Sequence, residues 1–271
     1  MLVYGCDFSG AKDPNGKIFV TAGWLADHRL TILDVKECED RLDLFYMIKN
    51  NPAPWGLDFP FSIPREHLNE HYQSSWPFFI REAYGDTRMA FKQKFGKVHS
   101  GKNNIRDCRV TDIAVNGKSP VSETPISMNG MVYGGRKLLF NLLNDVSIYP
   151  FDSYRENASR LYEVYPSHGW SKLGLNREDQ LALAQLSDVF KRRVDPRFDI
   201  ELDLDKIPRL TSGIKAGKLV DHASDSVMAC IILAYCLYSS PLDAFWGIKP
   251  SFASDEEWAC CGEEGLVVRF E

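Results

Sequence analysis

The sequence predicts an α/β fold, a mixed β-sheet flanked by helices, from three observations. Three apolar runs separated by turn residues open the chain, a helical stretch then leads to a fourth apolar run, and a long, nearly all-apolar helix lies near the end. Residues 1–271 are expected to form one domain with a helical insertion at about 65–145, since α/β sheets often run past about 200 residues as one unit. Hydrophobic content of 44% beside 25% charged residues supplies a substantial core.

Residues 2–8, 18–25 and 30–35 read as strands, divided by the turn signals Asp13-Pro14-Asn15-Gly16 and Ala26-Asp27-His28. Turns this short make the three strands an antiparallel meander. From 38 to 49, Leu42, Leu44, Phe45 and Ile48 recur at helical spacing, and Pro52 and Pro54 end the helix. Residues 55–61 form a buried strand stopped by Pro60 and Pro64; reached by a helical crossover, it should lie parallel to the first. The insertion carries short aromatic-rich helices around Trp76, Phe79, Phe91 and Phe95 and closes in a helix over 131–143. Beyond it come candidate strands at 146–151 and 161–165, an amphipathic helix over 178–193, a polar connector over 194–217, a helix over 220–237 and an edge strand over 265–270.

The apolar stretch 227–238 is too short to span a bilayer, and the N-terminal MLVYGCDFSGAKDP reads as a buried strand, not a signal peptide. No membrane partner is expected. Seven cysteines at irregular spacing, with Cys6, Cys230 and Cys236 on apolar faces, point to a reducing, cytoplasmic setting. Cys260 and Cys261 lack the second pair that a zinc site needs. The net charge is -5, yet residues 81–109 hold eight Lys or Arg against three acids, a local +5 on a body of -10. Such a segment could gather a polyanion beside a carboxylate-rich centre, or it could be a solvated face.

Three apolar runs each carry one carboxylate: Asp7 in VYGCDFSG, Asp58 in WGLDFPFS and Glu163 in RLYEVYPS. Burying a lone charge is costly, and a cation shared by several carboxylates is the simplest compensation. Asp225 enters the long helix among Ala223, Ser224, Ser226 and Ala229, small residues that let a helix approach a sheet closely. These four acids could converge on one point. Three of them also have a plain structural reading, a turn for Asp7, a salt bridge for Asp58 and a solvated or paired role for Glu163; Asp221 suits an N-cap, whereas Asp225 lies one turn further in, where no cap is needed. His28, His67, His71, His99 and His168 read as surface residues.

The runs GCDFSGAKD, GLDFPFSIP, EVYPS and DHASDSVMACIILA together resemble the domain of unknown function family 429, a group of predicted nucleases with an RNase H-like fold. The resemblance implies that His222 and Asp225 correspond to the His/Asp-x-x-Asp pair of RNase H-like junction resolvases, whose acids bind divalent metal. The family commonly shows Asp where His222 stands. A metal-dependent nuclease or phosphodiesterase would need Mg²⁺ or Mn²⁺ on oxygen ligands. Asp7 is expected to bridge, with Asp58 and Asp225 flanking and Glu163, Asp221 or His222 completing the set. Lys12, Ser9 and Arg109 are the expected phosphate contacts, toward a nucleic acid or a nucleotide-like phosphate ester. Two other readings compete. DFSGAK is similar to the first phosphate loop of the actin and hexokinase superfamily of ATP-dependent phosphotransferases, and an RNase H-like scaffold can also serve as a non-catalytic binding module.

Overall fold

The computed structural model describes residues 1–96, 98, 105–123, 128–177, 182–207, 214–215, 218–219, 222–240 and 246–271. The chain opens on the expected meander, with β1 (Leu2–Asp7), β2 (Phe19–Ala26) and β3 (Arg29–Glu37) pairing antiparallel in sequence. Helix α1 (Arg41–Asn50) starts where the Asp40 carboxylate accepts the N–H groups of Leu42 and Asp43, donors that a first turn otherwise leaves unpaired. It leads to β4 (Pro54–Asp58), which lies parallel beside β1. β4 ends at Asp58 although the apolar run continues to residue 61, because Pro60 has no N–H to offer a ladder.

The insertion supplies α2 (Arg65–His71), α3 (Trp76–Arg81), α4 (Arg88–Lys94), α5 (Val110–Ala114) and α6 (Met128–Leu142). Its aromatics Trp76, Phe79, Phe91 and Phe95 join Leu44 and Ile48 of α1 in an apolar core on one face of the sheet. The chain then gives β5 (Val146–Ile148), β6 (Ser159–Val164), α7 (Pro166–Leu173), α8 (Ala182–Arg193) and β7 (Asp199–Glu201). A two-residue hairpin, β8 (Ile214–Lys215) and β9 (Lys218–Leu219), precedes α9 (His222–Ser239), α10 (Asp255–Glu264) and β10 (Val267–Val268). Trp170 of α7, Leu186 and Phe190 of α8 and the apolar length of α9 form the core on the opposite face. As its all-round apolar pattern requires, α9 is buried along most of its length.

The sheet runs β10-β6-β4-β1-β2-β3-β7, with β5 and β10 sharing the outer edge of β6. β2 alone runs against the other strands, so the fold is α/β with a mixed, mostly parallel sheet between two helical layers. β7 comes from the stretch expected to be only a polar connector: it has three residues, and Ile200 alone is buried, too little for alternation to register. Two helices also escape the periodicity. α7 begins with Pro166 in its first turn, and α10 is set by a capping box in which Ser254 and Glu257 each accept the other's N–H. Two glycines set the spacing around the end of β1. A Cβ on Gly5 would sit 2.1 Å from the Cys230 nitrogen of α9, and one on Gly10 would sit 2.3 Å from the Gly130 oxygen of α6.

Candidate functional site

Side chains on a strand alternate between its faces, and that alternation decides which acids meet. In β1, Tyr4, Cys6 and Phe8 enter the core beneath the insertion, so Val3, Gly5 and Asp7 face α9. In β4, Trp55, Leu57 and Phe59 face the insertion, and Gly56 and Asp58 face α9. The parallel register sets Asp7 directly beside Asp58, each the last residue of its strand. Over them lies the first turn of α9, which carries the buried Asp225.

The electrostatics follow from this packing. His222 Nδ1 stands 2.5 Å from Oδ2 of Asp7. Asp225 accepts a hydrogen bond from the Trp170 indole N–H at 2.7 Å and another from Arg177 Nη1 at 2.9 Å. Burial, and then the charges of Asp7 and Asp225, hold the Asp58 carboxyl well above the usual carboxylate range, against the opposing pull of Arg177. That shift favours the protonated form of Asp58, whose side chain is within hydrogen-bond reach of Asp7.

Glu163 does not join them. Its register partner on β4 is Leu57, so it points to the insertion side of the sheet. There it is 2% exposed and receives Arg109 Nη2 on Oε1 at 2.5 Å, with Arg109 Nη1 and the Phe61 N–H on Oε2, each at 2.9 Å. Arg109, 1% exposed, also holds Asp112 through Nε and Nη2 at 2.9 and 2.7 Å. Two expectations are corrected here. Glu163 is one half of a buried ion pair instead of a member of the aspartate cluster, and Arg109 is its partner instead of a solvent-facing phosphate contact.

The loop after β1 is also differently disposed. Ser9 Oγ accepts the Ala11 N–H at 3.2 Å, while the carbonyls of Ser9 and Ala11 accept from Arg41 and that of Gly10 from Arg88. A phosphate loop presents N–H groups to its ligand; this one turns carbonyls toward two guanidiniums, and Lys12 lies exposed beyond them. Asp221 lies outside the described residues.

The cations beside the aspartates come from elsewhere. Lys118, half-buried in the insertion, has its ammonium pKa lowered by burial and then by Arg177. It lines a cavity of about 20 Å³ with Asp58, Arg109, Glu163 and Tyr165, room for about one water. Neither Lys118 nor Arg177 carries a sequence signal, since both sit singly in loops. A larger concavity, about 660 Å³, is lined by Asp27, His28, Lys191, Arg197 and Asp199 at the opposite end of β1 from Asp7. It is remote from the aspartates.

Most described charges of the basic segment are neutralised within the fold. Lys94 pairs with Asp86 at 2.9 Å, Lys92 with Glu123 at 3.8 Å and Arg106 with Glu70 at 2.9 Å, while Arg109 is buried as described. Three histidines expected at the surface are not there, and His99 lies outside the described residues. His67 is 5% exposed, His71 is half-buried, and His168 is half-buried with Nδ1 3.4 Å from the Val115 carbonyl. His67, Glu70 and His71 form a group that could hold a metal ion, each offering a ligand atom within 4.8 Å of the others. Among the described residues no helix is long and apolar enough to cross a membrane. Comparison of the chain with known protein families, curated proteins and solved structures finds no match.

Proposed function

We propose that the protein is a metal-dependent phosphodiester hydrolase of RNase H-like type whose divalent cation is held by Asp7, Asp58 and Asp225. The observation that carries this reading is the meeting of Asp7 and Asp58 at the ends of neighbouring parallel strands, under the first turn of α9 with its Asp225. In open α/β sheets, ligands bind beyond the carboxyl ends of the strands, which is where these acids stand. The order β3-β2-β1-β4-β6 with β2 alone reversed supports the RNase H-like assignment, as does the resemblance of the quoted sequence runs to the domain of unknown function family 429.

The donor set suits a hard cation. Carboxylate oxygens match Mg²⁺ or Mn²⁺, and the raised Asp58 carboxyl, caused by burial and by the charges of Asp7 and Asp225, marks like charges that a cation would neutralise. Bound there, Mg²⁺ or Mn²⁺ supplies a Lewis acid for the phosphoryl oxygen and a more acidic water. The chain's own groups do the rest. His222 orients Asp7 through Nδ1, Arg177 neutralises Asp225 and is exposed enough to swing toward a phosphate, and Lys118 presents a positive charge at the rim beside Asp58. The substrate class is a nucleotide phosphodiester, in a nucleic acid or a small ester. The alternative of an ATP-dependent phosphotransferase draws no support from a loop whose carbonyls are turned to Arg41 and Arg88.

Hydrolysis of bis(4-nitrophenyl) phosphate and of end-labelled oligonucleotides, with Mg²⁺ or Mn²⁺, tests the reading. Wild type should turn over at least one of them, and Asp58→Asn should lower the rate on the order of 100-fold or more, because metal positioning contributes several kcal/mol at the transition state. Inactivity of wild type with both metals, or an Asp58→Asn rate equal to wild type, overturns it.

A further inference from the structure

We propose that His67, Glu70 and His71 form a second metal site for a borderline ion of the Zn²⁺ class, with Asp107 as the residue that orients His67. This rests on different residues from the aspartate reading and stands or falls separately. His67 and His71 are four residues apart on α2, so their rings lie on one face of the helix, near-parallel at 9° with centroids 6.2 Å apart. Phe95 meets both rings edge-on, at 5.3 and 5.8 Å, and holds them in place.

The tautomers point the same way. His67 Nε2 lies 2.8 Å from Oδ1 of Asp107, so the carboxylate fixes the ring proton on Nε2 and leaves the Nδ1 lone pair available. Among the described residues neither His67 Nδ1 nor His71 Nε2 has a hydrogen-bond partner, though both atoms are buried. A buried polar atom without a partner is costly, and one ion would satisfy both nitrogens. A carboxylate behind a ligand histidine is also the usual outer support of a metal-bound imidazole.

The donor set selects the ion. Two imidazole nitrogens and one carboxylate oxygen form a zinc set, whereas Mg²⁺ prefers oxygen alone. Metal–nitrogen bonds of about 2.0–2.1 Å require ligand atoms nearer together than the present limit of 4.8 Å. Glu70 supplies the adjustment: its exposed side chain lies 4.0 Å from His71 Nε2 and is held by Arg106, an exposed partner that a divalent ion displaces. Through Asp107 the ion would tie α2 to the turn at 105–107, stapling the insertion on the face of the sheet opposite α9.

Zn²⁺ titration of chelator-stripped protein in excess Mg²⁺, read by competition with a chromophoric chelator, tests the site, and Co²⁺ absorption reports nitrogen ligation. One equivalent should bind, and Asp58→Asn should bind it equally. Asp107→Asn should weaken binding about 10–100-fold, as loss of an outer-shell partner does. His71→Ala should abolish it, and Glu70→Gln, on an exposed side chain, should weaken it without changing the circular dichroism of the metal-free protein. Absence of stoichiometric Zn²⁺, or wild-type affinity in both His71→Ala and Glu70→Gln, overturns the proposal.

Discussion

On one face of the sheet Glu163 and Asp112 close around Arg109; on the other, Asp7, Asp58 and Asp225 stand with the ring of His222 and the exposed guanidinium of Arg177. Both gather acids beside the carboxyl ends of strands, all of them buried except the half-buried Asp58. They differ in compensation. The first is matched by a fully enclosed guanidinium with bidentate contacts, an arrangement that holds structure together. In the second, burial and the neighbouring charges of Asp7 and Asp225 hold the Asp58 carboxyl above its usual range, a crowding that a bound cation would relieve. Burial of a carboxylate alone therefore says little about function, and the identity of its partner says more.

The sharpest way to break the contrast is Arg109→Met. It strands Glu163 and Asp112 in the interior, and removing one partner of a buried pair costs about 3–5 kcal/mol. Urea denaturation should show that loss; a cost under about 1 kcal/mol would mean that the two clusters are alike. Asp58→Asn should do the reverse. In chelator it removes a carboxyl whose charged form burial and its neighbours disfavour, so stability should hold or rise. A clear fall in thermal midpoint would make Asp58 a structural partner.

The pH dependence of the metal-free protein carries the same sign. Folding raises the Asp58 pKa, so the folded state holds the proton more tightly than the unfolded chain, whose aspartates titrate near about 3.9. This group's contribution is full below the unfolded value and is lost as pH rises through the folded one. Stability in chelator should thus fall less steeply toward neutral pH in Asp58→Asn than in wild type, and parallel profiles would contradict the upward shift at Asp58. Smallest of all, Arg177→Gln should change stability by about 1 kcal/mol, since the guanidinium end of the pair is exposed and the Trp170 indole still meets the buried Asp225, while tightening Mn²⁺ binding several-fold by releasing Asp225. Weaker Mn²⁺ binding in that variant would mean that the guanidinium supports the site instead of competing for it.

The meander, the crossover to β4 and the apolar α9 were legible in the chain because turns, periodicity and prolines mark them locally. Asp7 and Asp58 stood out as acids in apolar runs for the same reason. Glu163 looked identical, and its separation depended on strand parity. β6 is buried on both faces from Ser159 to Val164, so no polar alternation showed which way Glu163 points. Lys118 and Arg177 come from loops, where spacing carries no information about neighbours. The His67-x-x-Glu70-His71 spacing was visible, but the burial of His67 and its bond to Asp107, 40 residues along, arise only on folding.

Calorimetric titration of the chelator-stripped protein with Mn²⁺, in two buffers of different ionisation enthalpy, tests the aspartate site most directly. Saturable binding should be accompanied by proton release, because the cation competes with the protonated form that burial and crowding favour at Asp58. Asp58→Asn should bind more weakly and release fewer protons. Absence of Mn²⁺ binding by wild type, or heats that are the same in both buffers and in both proteins, would contradict the claim that Asp7, Asp58 and Asp225 are built to hold a cation.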